Sequence, residues 1–263
     1  MVMLMEGLAM TGLNSALQYM PAMVGKLGLS SAKGVCQQHG EFESAVMPGR
    51  LPVCMRCIAE KERAESLAGR RQALLLGCGV PRRYREAKFR DLLPVCEEQQ
   101  QVIEAFKGWV ARAGRDRDVG NVVVLGATGT GKTHMACAAA LNLIGRCGLG
   151  VCYTTTARIK EEVCAAWGMM GRDESSELRR FASYPLLIID EVDVFDQGPA
   201  LRMLNSVIDR RSADGLPTIF ISNQDRDRLV ELVGVRAVSR MLERALTLQC
   251  GWEDYRLRAL KGA

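Results

Sequence analysis

Gly126-Ala127-Thr128-Gly129-Thr130-Gly131-Lys132-Thr133 decides the reading of this 263-residue chain. The stretch fits G-x-x-x-x-G-K-[ST]. It follows the apolar run Asn121–Leu125 and opens a helical pattern at Lys132–Arg146, the strand–loop–helix context that gives the pattern physical meaning. Glycines at this spacing let backbone N–H groups curl around a phosphate at the positive end of the following helix. Lys132 is expected to reach the β- and γ-phosphates of ATP and Thr133 to hold Mg²⁺, with Gly126 to Gly131 as the cradle. A glycine-rich turn without ligand is the competing reading, and the flanking elements argue against it.

Further along the chain, Leu186-Leu187-Ile188-Ile189 ends abruptly in Asp190-Glu191. An acidic pair after a strand is often only a helix cap. Paired with the glycine loop, it predicts Asp190 in the Mg²⁺ shell and Glu191 polarising the attacking water, because both strand ends must converge on the transferring phosphoryl group. Asn223, after the apolar run Thr218–Ile221, is a third candidate, placed to orient water or sense the γ-phosphate. Short apolar runs at Asn121–Leu125, Gly150–Tyr153, Pro185–Ile189, Thr218–Ile221 and Ala245–Gln249 alternate with helical patterns. That alternation predicts a three-layer α/β fold around a parallel five-stranded sheet.

Ahead of this region, Cys36-Gln37-Gln38-His39 and Cys54-Met55-Arg56-Cys57 supply two ligand pairs, each with a two-residue spacing. Three thiolates and an imidazole suit a closed tetrahedral, structural Zn²⁺ site, and so few apolar residues surround them that the segment is expected to need the metal to fold. The competing reading is three buried thiols and an exposed histidine. Cys78, Cys96, Cys137, Cys147, Cys152, Cys164 and Cys250 are scattered through core-like segments and read as reduced thiols. Before Lys26 the chain has neither the charged start of a signal peptide nor an apolar run long enough to span a membrane, so the expectation is a cytoplasmic protein. Met10, Leu13, Leu17 and Met20 fall on one face of an expected helix. The 35 Lys and Arg against 30 Asp and Glu leave a charge of +5, and basic residues crowd Lys61–Arg90. That stretch suits either a phosphate backbone or a solvated linker face.

From about Tyr84 to Arg256 the chain resembles the DnaC-type helicase loaders and IstB-like transposition ATPases of the AAA+ class. The marks are Gly129-Thr130-Gly131-Lys132-Thr133-His134, Leu187-Ile188-Ile189-Asp190-Glu191, Asn205-Ser206-Val207-Ile208-Asp209-Arg210-Arg211, Ser222-Asn223 and Val233-Gly234-Val235-Arg236-Ala237-Val238-Ser239-Arg240-Met241. The resemblance implies self-association with the ATP site shared between subunits, Arg236 reaching a neighbour's γ-phosphate and Arg256 contacting nucleotide in cis. It also implies single-stranded DNA binding, with Arg158, Lys160 and Trp167 on that surface; a second aromatic expected after the acidic pair is absent, Ala200 standing near its position. The organisation expected is a helical lead (1–33), a zinc-binding module (34–60), a basic linker (61–96) and an AAA+ ATPase domain (97–263). The function implied is ATP-dependent loading of a replicative helicase onto DNA. The alternatives are an ATPase acting with a transposase or a nucleotide-gated DNA-binding adaptor.

Overall fold

A computed structural model describes residues 28–116, 118–167, 173–193 and 198–255. The chain divides into two compact units, Met1–Arg70 and Arg71–Ala263. The expected lead helix around Met10–Met20 lies outside the described residues.

The first unit is built on an antiparallel hairpin, β1 (Ser30–Cys36) and β2 (Gly40–Val46), with Cys36 opposite Gly40. Residues 30–33, grouped with the lead on sequence, thus belong to a strand. Gly40, at φ 74°, closes the turn that carries His39. A loop then leads to helix α1 (Met55–Gly77), which begins in this unit, continues past Arg70 and buries none of its side chains.

In the second unit, the helical turns Arg82–Tyr84 and Phe89–Asp91 precede α2 (Glu97–Ala113), β3 (Val122–Gly126), α3 (Lys132–Cys147), β4 (Val151–Thr155), α4 (Thr156–Ala165) and α5 (Glu174–Ala182). There follow β5 (Leu186–Asp190), α6 (Pro199–Ala213), β6 (Thr218–Ser222), α7 (Arg226–Val233), α8 (Val235–Leu242) and β7 (Leu246–Cys250). The five strands form one parallel sheet in the order β4-β5-β6-β3-β7. All five expected strands are present, each starting within one residue of its predicted start.

Strand side chains alternate between two apolar layers. Val122, Val124, Ile188 and Ile221 meet Phe106, Trp109, Met135 and Leu143 of α2 and α3 on one face. Val123, Leu125, Ile189 and Phe220 meet Ile159, Phe181, Met203, Val207 and Met241 on the other. Each fully buried large aliphatic or aromatic side chain contributes roughly 1.5–3 kcal/mol, so the frame is rigid enough to hold strand ends in register. A cation is built into it. Arg211 is 1% exposed and donates to Thr218 Oγ1 at 2.8 Å and to the carbonyls of Ala182, Tyr184 and Pro217 at 2.8, 2.7 and 2.6 Å. It ties the end of α6 to the chain entering β5 and β6, and burial lowers its pKa to about 9.

Candidate functional site

The phosphate loop leaves β3 at Gly126 and enters α3 at Lys132. Gly126 has φ 141°, and a Cβ there would run into the carbonyl of Cys250 on the neighbouring β7, so no other residue fits without displacing that strand. Lys132 is 5% exposed and folds back over the loop, donating from Nζ to Gly126 O at 2.7 Å and Ala127 O at 2.6 Å. Thr130 Oγ1 donates to Ala127 O at 2.9 Å, bracing the same arc.

The sheet order sets β6 between β3 and β5, yet Thr133 at the start of α3 still meets β5: its hydroxyl donates to Asp190 Oδ2 at 2.8 Å. Glu191 follows with φ 54°, a left-handed conformation that costs a non-glycine residue energy and ends the strand. Burial, and then the charges of Asp190 and Asp193, hold its carboxyl above the usual range. Asn223, at the end of β6, donates its backbone N–H to Asp193 Oδ2 at 3.2 Å.

These groups open onto a cavity of about 600 Å³, lined by Thr128 to Thr133, Asp190, Glu191 and Asn223. Sequence reasoning missed its remaining walls. Arg83, Tyr84, Leu92 and Leu93, read as linker, form one side; Arg83 stacks on the Tyr84 ring 4.6 Å from its centroid, and Tyr84 meets His134 edge-on. The aromatic between cations in Arg82-Arg83-Tyr84-Arg85 was the available signal.

The chain returns to the loop after β7. Trp252 Nε1 donates to Thr130 O at 2.9 Å, and the Tyr255 backbone N–H donates to Gly129 O at 3.0 Å. Both acceptors are main-chain oxygens of the phosphate loop. Gly129, at φ 75°, packs so closely on the Asp254 carboxylate that a Cβ there would overlap it. The segment Trp252–Tyr255 is therefore strapped across the loop. Arg256, the next residue, lies outside the described residues.

The other predicted residues lie away from this cavity's lining. Arg236, on α8, is 77% exposed in its side chain and pairs with Asp209 of α6 at 3.3 Å, a carboxylate that also takes Arg240 Nε at 2.9 Å. Arg158 and Lys160 are on α4, and Arg158 pairs with Glu162 at 2.6 Å. Trp167 follows α4 and is 55% exposed.

In the first unit, Cys36, His39, Cys54 and Cys57 bring their ligand atoms within 4.8 Å of one another. His39 Nδ1 lies 3.7, 3.6 and 3.3 Å from the sulfurs of Cys36, Cys54 and Cys57, and Cys36 Sγ lies 3.4 Å from Cys57 Sγ. Zn–S bonds of about 2.3 Å and Zn–N bonds of about 2.0–2.1 Å give tetrahedron edges of this size. Backbone N–H groups of Gln38 and His39 draw the Cys36 thiol down to about 6, whereas its hydrogen bond with Cys36 pushes Cys57 up to about 12. A cation removes that conflict. Glu60 Oε1 lies 3.0 Å from His39 Nε2, a partner that keeps the proton on Nε2 and leaves Nδ1 facing the sulfurs.

The family model for IstB-like ATP binding protein matches residues 111–261. The chain belongs to that family. This IstB-like protein is 27% identical over 196 residues to "Replicative helicase loader DnaC" of Escherichia coli K12, an overlap of 74% of this chain and 79% of that protein. It is 27% identical to the protein of the same name from Buchnera aphidicola subsp. Schizaphis graminum, covering 76% and 82%. Its fold matches the crystal structure of the DnaC helicase loader with a TM-score of 0.57 at 19% identity, across 65% of this chain and 99% of that one. AMPPCP-bound DnaA from Aquifex aeolicus matches at 0.56 and 19%, across 70% and 55%. The IstB-like protein is a P-loop ATPase of the AAA+ type, as the resemblance implied. No helix among the described residues is long and apolar enough to cross a membrane.

Proposed function

We propose that this IstB-like ATPase is a cytoplasmic loader that uses ATP and single-stranded DNA to place a replicative helicase on DNA. The observation that carries the proposal is the match to proteins named replicative helicase loader across about three quarters of the chain.

ATP enters the 600 Å³ cavity, and Lys132 exchanges the Gly126 and Ala127 carbonyls for the β- and γ-phosphates. The Thr133–Asp190 pair fits Mg²⁺, because a hydroxyl and a buried carboxylate already meet at 2.8 Å beside the loop. When bound, the ion neutralises charge on the phosphate oxygens. Glu191 polarises the attacking water, Asn223 orients that water, and Arg256 reaches the nucleotide in cis. Arg236 acts in trans: it is exposed, absent from its own cavity lining and steadied by Asp209. Subunits therefore associate through a shared ATP site. Arg158, Lys160 and Trp167 hold single-stranded DNA by backbone charge and base stacking. Zn²⁺ on Cys36, His39, Cys54 and Cys57 holds the first unit folded, and that unit grips the helicase.

ATP turnover measured on zinc-replete protein, with and without single-stranded DNA and a cognate helicase, tests this reading alongside helicase loading on circular DNA. Loading that requires this protein is the expected result; its absence with helicase present sinks the proposal. A second reading, suggested by the resemblance to IstB-like transposition ATPases, is an ATPase that serves a transposase. DNA-stimulated turnover without helicase binding would select that one. A nucleotide-gated adaptor that scarcely hydrolyses ATP is disfavoured by Glu191, since a switch needs phosphate contacts but no water-activating carboxylate.

A further inference from the structure

Asp190 accepts three hydrogen bonds, and one of them comes from outside the phosphate loop and the acidic pair. Thr133 Oγ1 donates to Oδ2 at 2.8 Å and the Glu191 backbone N–H donates to Oδ1 at 2.8 Å. The third donor is Tyr153, whose hydroxyl also reaches Oδ2 at 2.8 Å.

The register explains why it can. In the parallel pair β4–β5, Tyr153 stands opposite Ile188, so Asp190 is two residues further along β5 on the same face. A diagonal neighbour across a strand pair is within reach of a long aromatic side chain but not of a short one. The backbone of Tyr153 is held from both sides. It pairs with β5 on one edge, while on the other its N–H donates to Cys78 O at 2.7 Å and its carbonyl packs against Gly79 too closely for a side chain there. Tyr153 is 7% exposed.

Two hydroxyls on one carboxylate oxygen fix the plane of that carboxylate. Thr133 sits on the loop that receives the nucleotide, whereas Tyr153 belongs to the sheet. We propose that Tyr153 is a positioning residue for the divalent cation, holding Asp190 in the orientation that receives Mg²⁺ and so setting the affinity for metal-bound nucleotide and not for nucleotide alone. This rests on the reading that Thr133 and Asp190 hold Mg²⁺.

The test is binding of a fluorescent ATP analogue to wild type and Tyr153→Phe, titrated against free Mg²⁺ and repeated in EDTA. Phenylalanine keeps the ring and its packing and removes only the donor. Outer-shell partners of metal ligands typically change metal affinity by about 10–100-fold. The expected result is a half-saturating Mg²⁺ concentration at least about tenfold higher in the variant, with unchanged affinity in EDTA. An unchanged Mg²⁺ requirement overturns the proposal. So does an equal loss of affinity with and without metal, which would make Tyr153 a packing residue only. Wild type that binds the analogue equally well in EDTA and in Mg²⁺ overturns the metal reading of Thr133 and Asp190 itself, a result separable from failure of Tyr153 alone.

Discussion

Between residues 28 and 70 the buried side chains are Ser44 and Cys54, whereas the unit beginning at Arg71 encloses two apolar clusters on either side of its sheet. Val35, Met47, Leu51 and Val53 of the smaller unit are 80%, 62%, 84% and 53% exposed. Hydrophobic burial cannot offset the conformational entropy of ordering such a segment, which costs about 1–2 kcal/mol per residue in the backbone alone. Four ligand atoms drawn to one point are what the smaller unit has in place of a core. The larger unit inverts this: its frame is apolar, and its chemistry is confined to a few polar atoms at the strand ends.

The largest expected effect follows from the smaller unit. Structural zinc contributes about 10–16 kcal/mol in comparable small modules, so chelation, or Cys54→Ser, is expected to abolish amide protection throughout β1 and β2. The melting transition of the larger unit should persist. Protection that survives complete metal removal would break the comparison.

In the larger unit, function should be separable from frame. Glu191→Gln is expected to lower ATP turnover by about 10²–10⁴-fold, the usual contribution of a positioned general base, with ATP binding retained in an equilibrium binding assay. Turnover equal to wild type would remove Glu191 from its role.

Arg211 is a charge set inside that apolar frame, and its replacement sharpens the contrast. Losing its four hydrogen bonds strands buried carbonyls, so Arg211→Met should destabilise the unit by about 3 kcal/mol in denaturant unfolding. A loss below about 1 kcal/mol would mean the apolar clusters suffice by themselves.

The smallest effect is expected at the strap. Trp252→Phe removes one hydrogen bond to Thr130 O, worth about 1 kcal/mol, and should weaken ATP binding about fivefold. Isothermal titration of the variant checks this, and undiminished affinity would show that the strap does not brace the loop.

The phosphate loop, the acidic pair, the five strands and the Cys/His pairs were legible in the sequence because each depends on neighbours in the chain. A strand needs alternating or continuous apolar residues, a cradle needs glycines at fixed spacing, and metal knuckles need ligands with two residues between them. Even the meeting of Thr133 with Asp190 was implied, since both must serve one phosphoryl group. Other features depend on which strands lie side by side and on how the chain returns. The order β4-β5-β6-β3-β7 brings Tyr153 to Asp190, and the path after β7 brings Trp252 to Thr130, 122 residues earlier, and Asp254 to Gly129. Arg83 and Tyr84 looked like linker because an aromatic set among cations marks a contact surface without saying what it faces, and only the fold brings that surface to the phosphate loop. Sequence determined which local pieces exist, through propensity and spacing; only the tertiary structure decided which of their side chains meet, because those contacts join residues far apart along the chain.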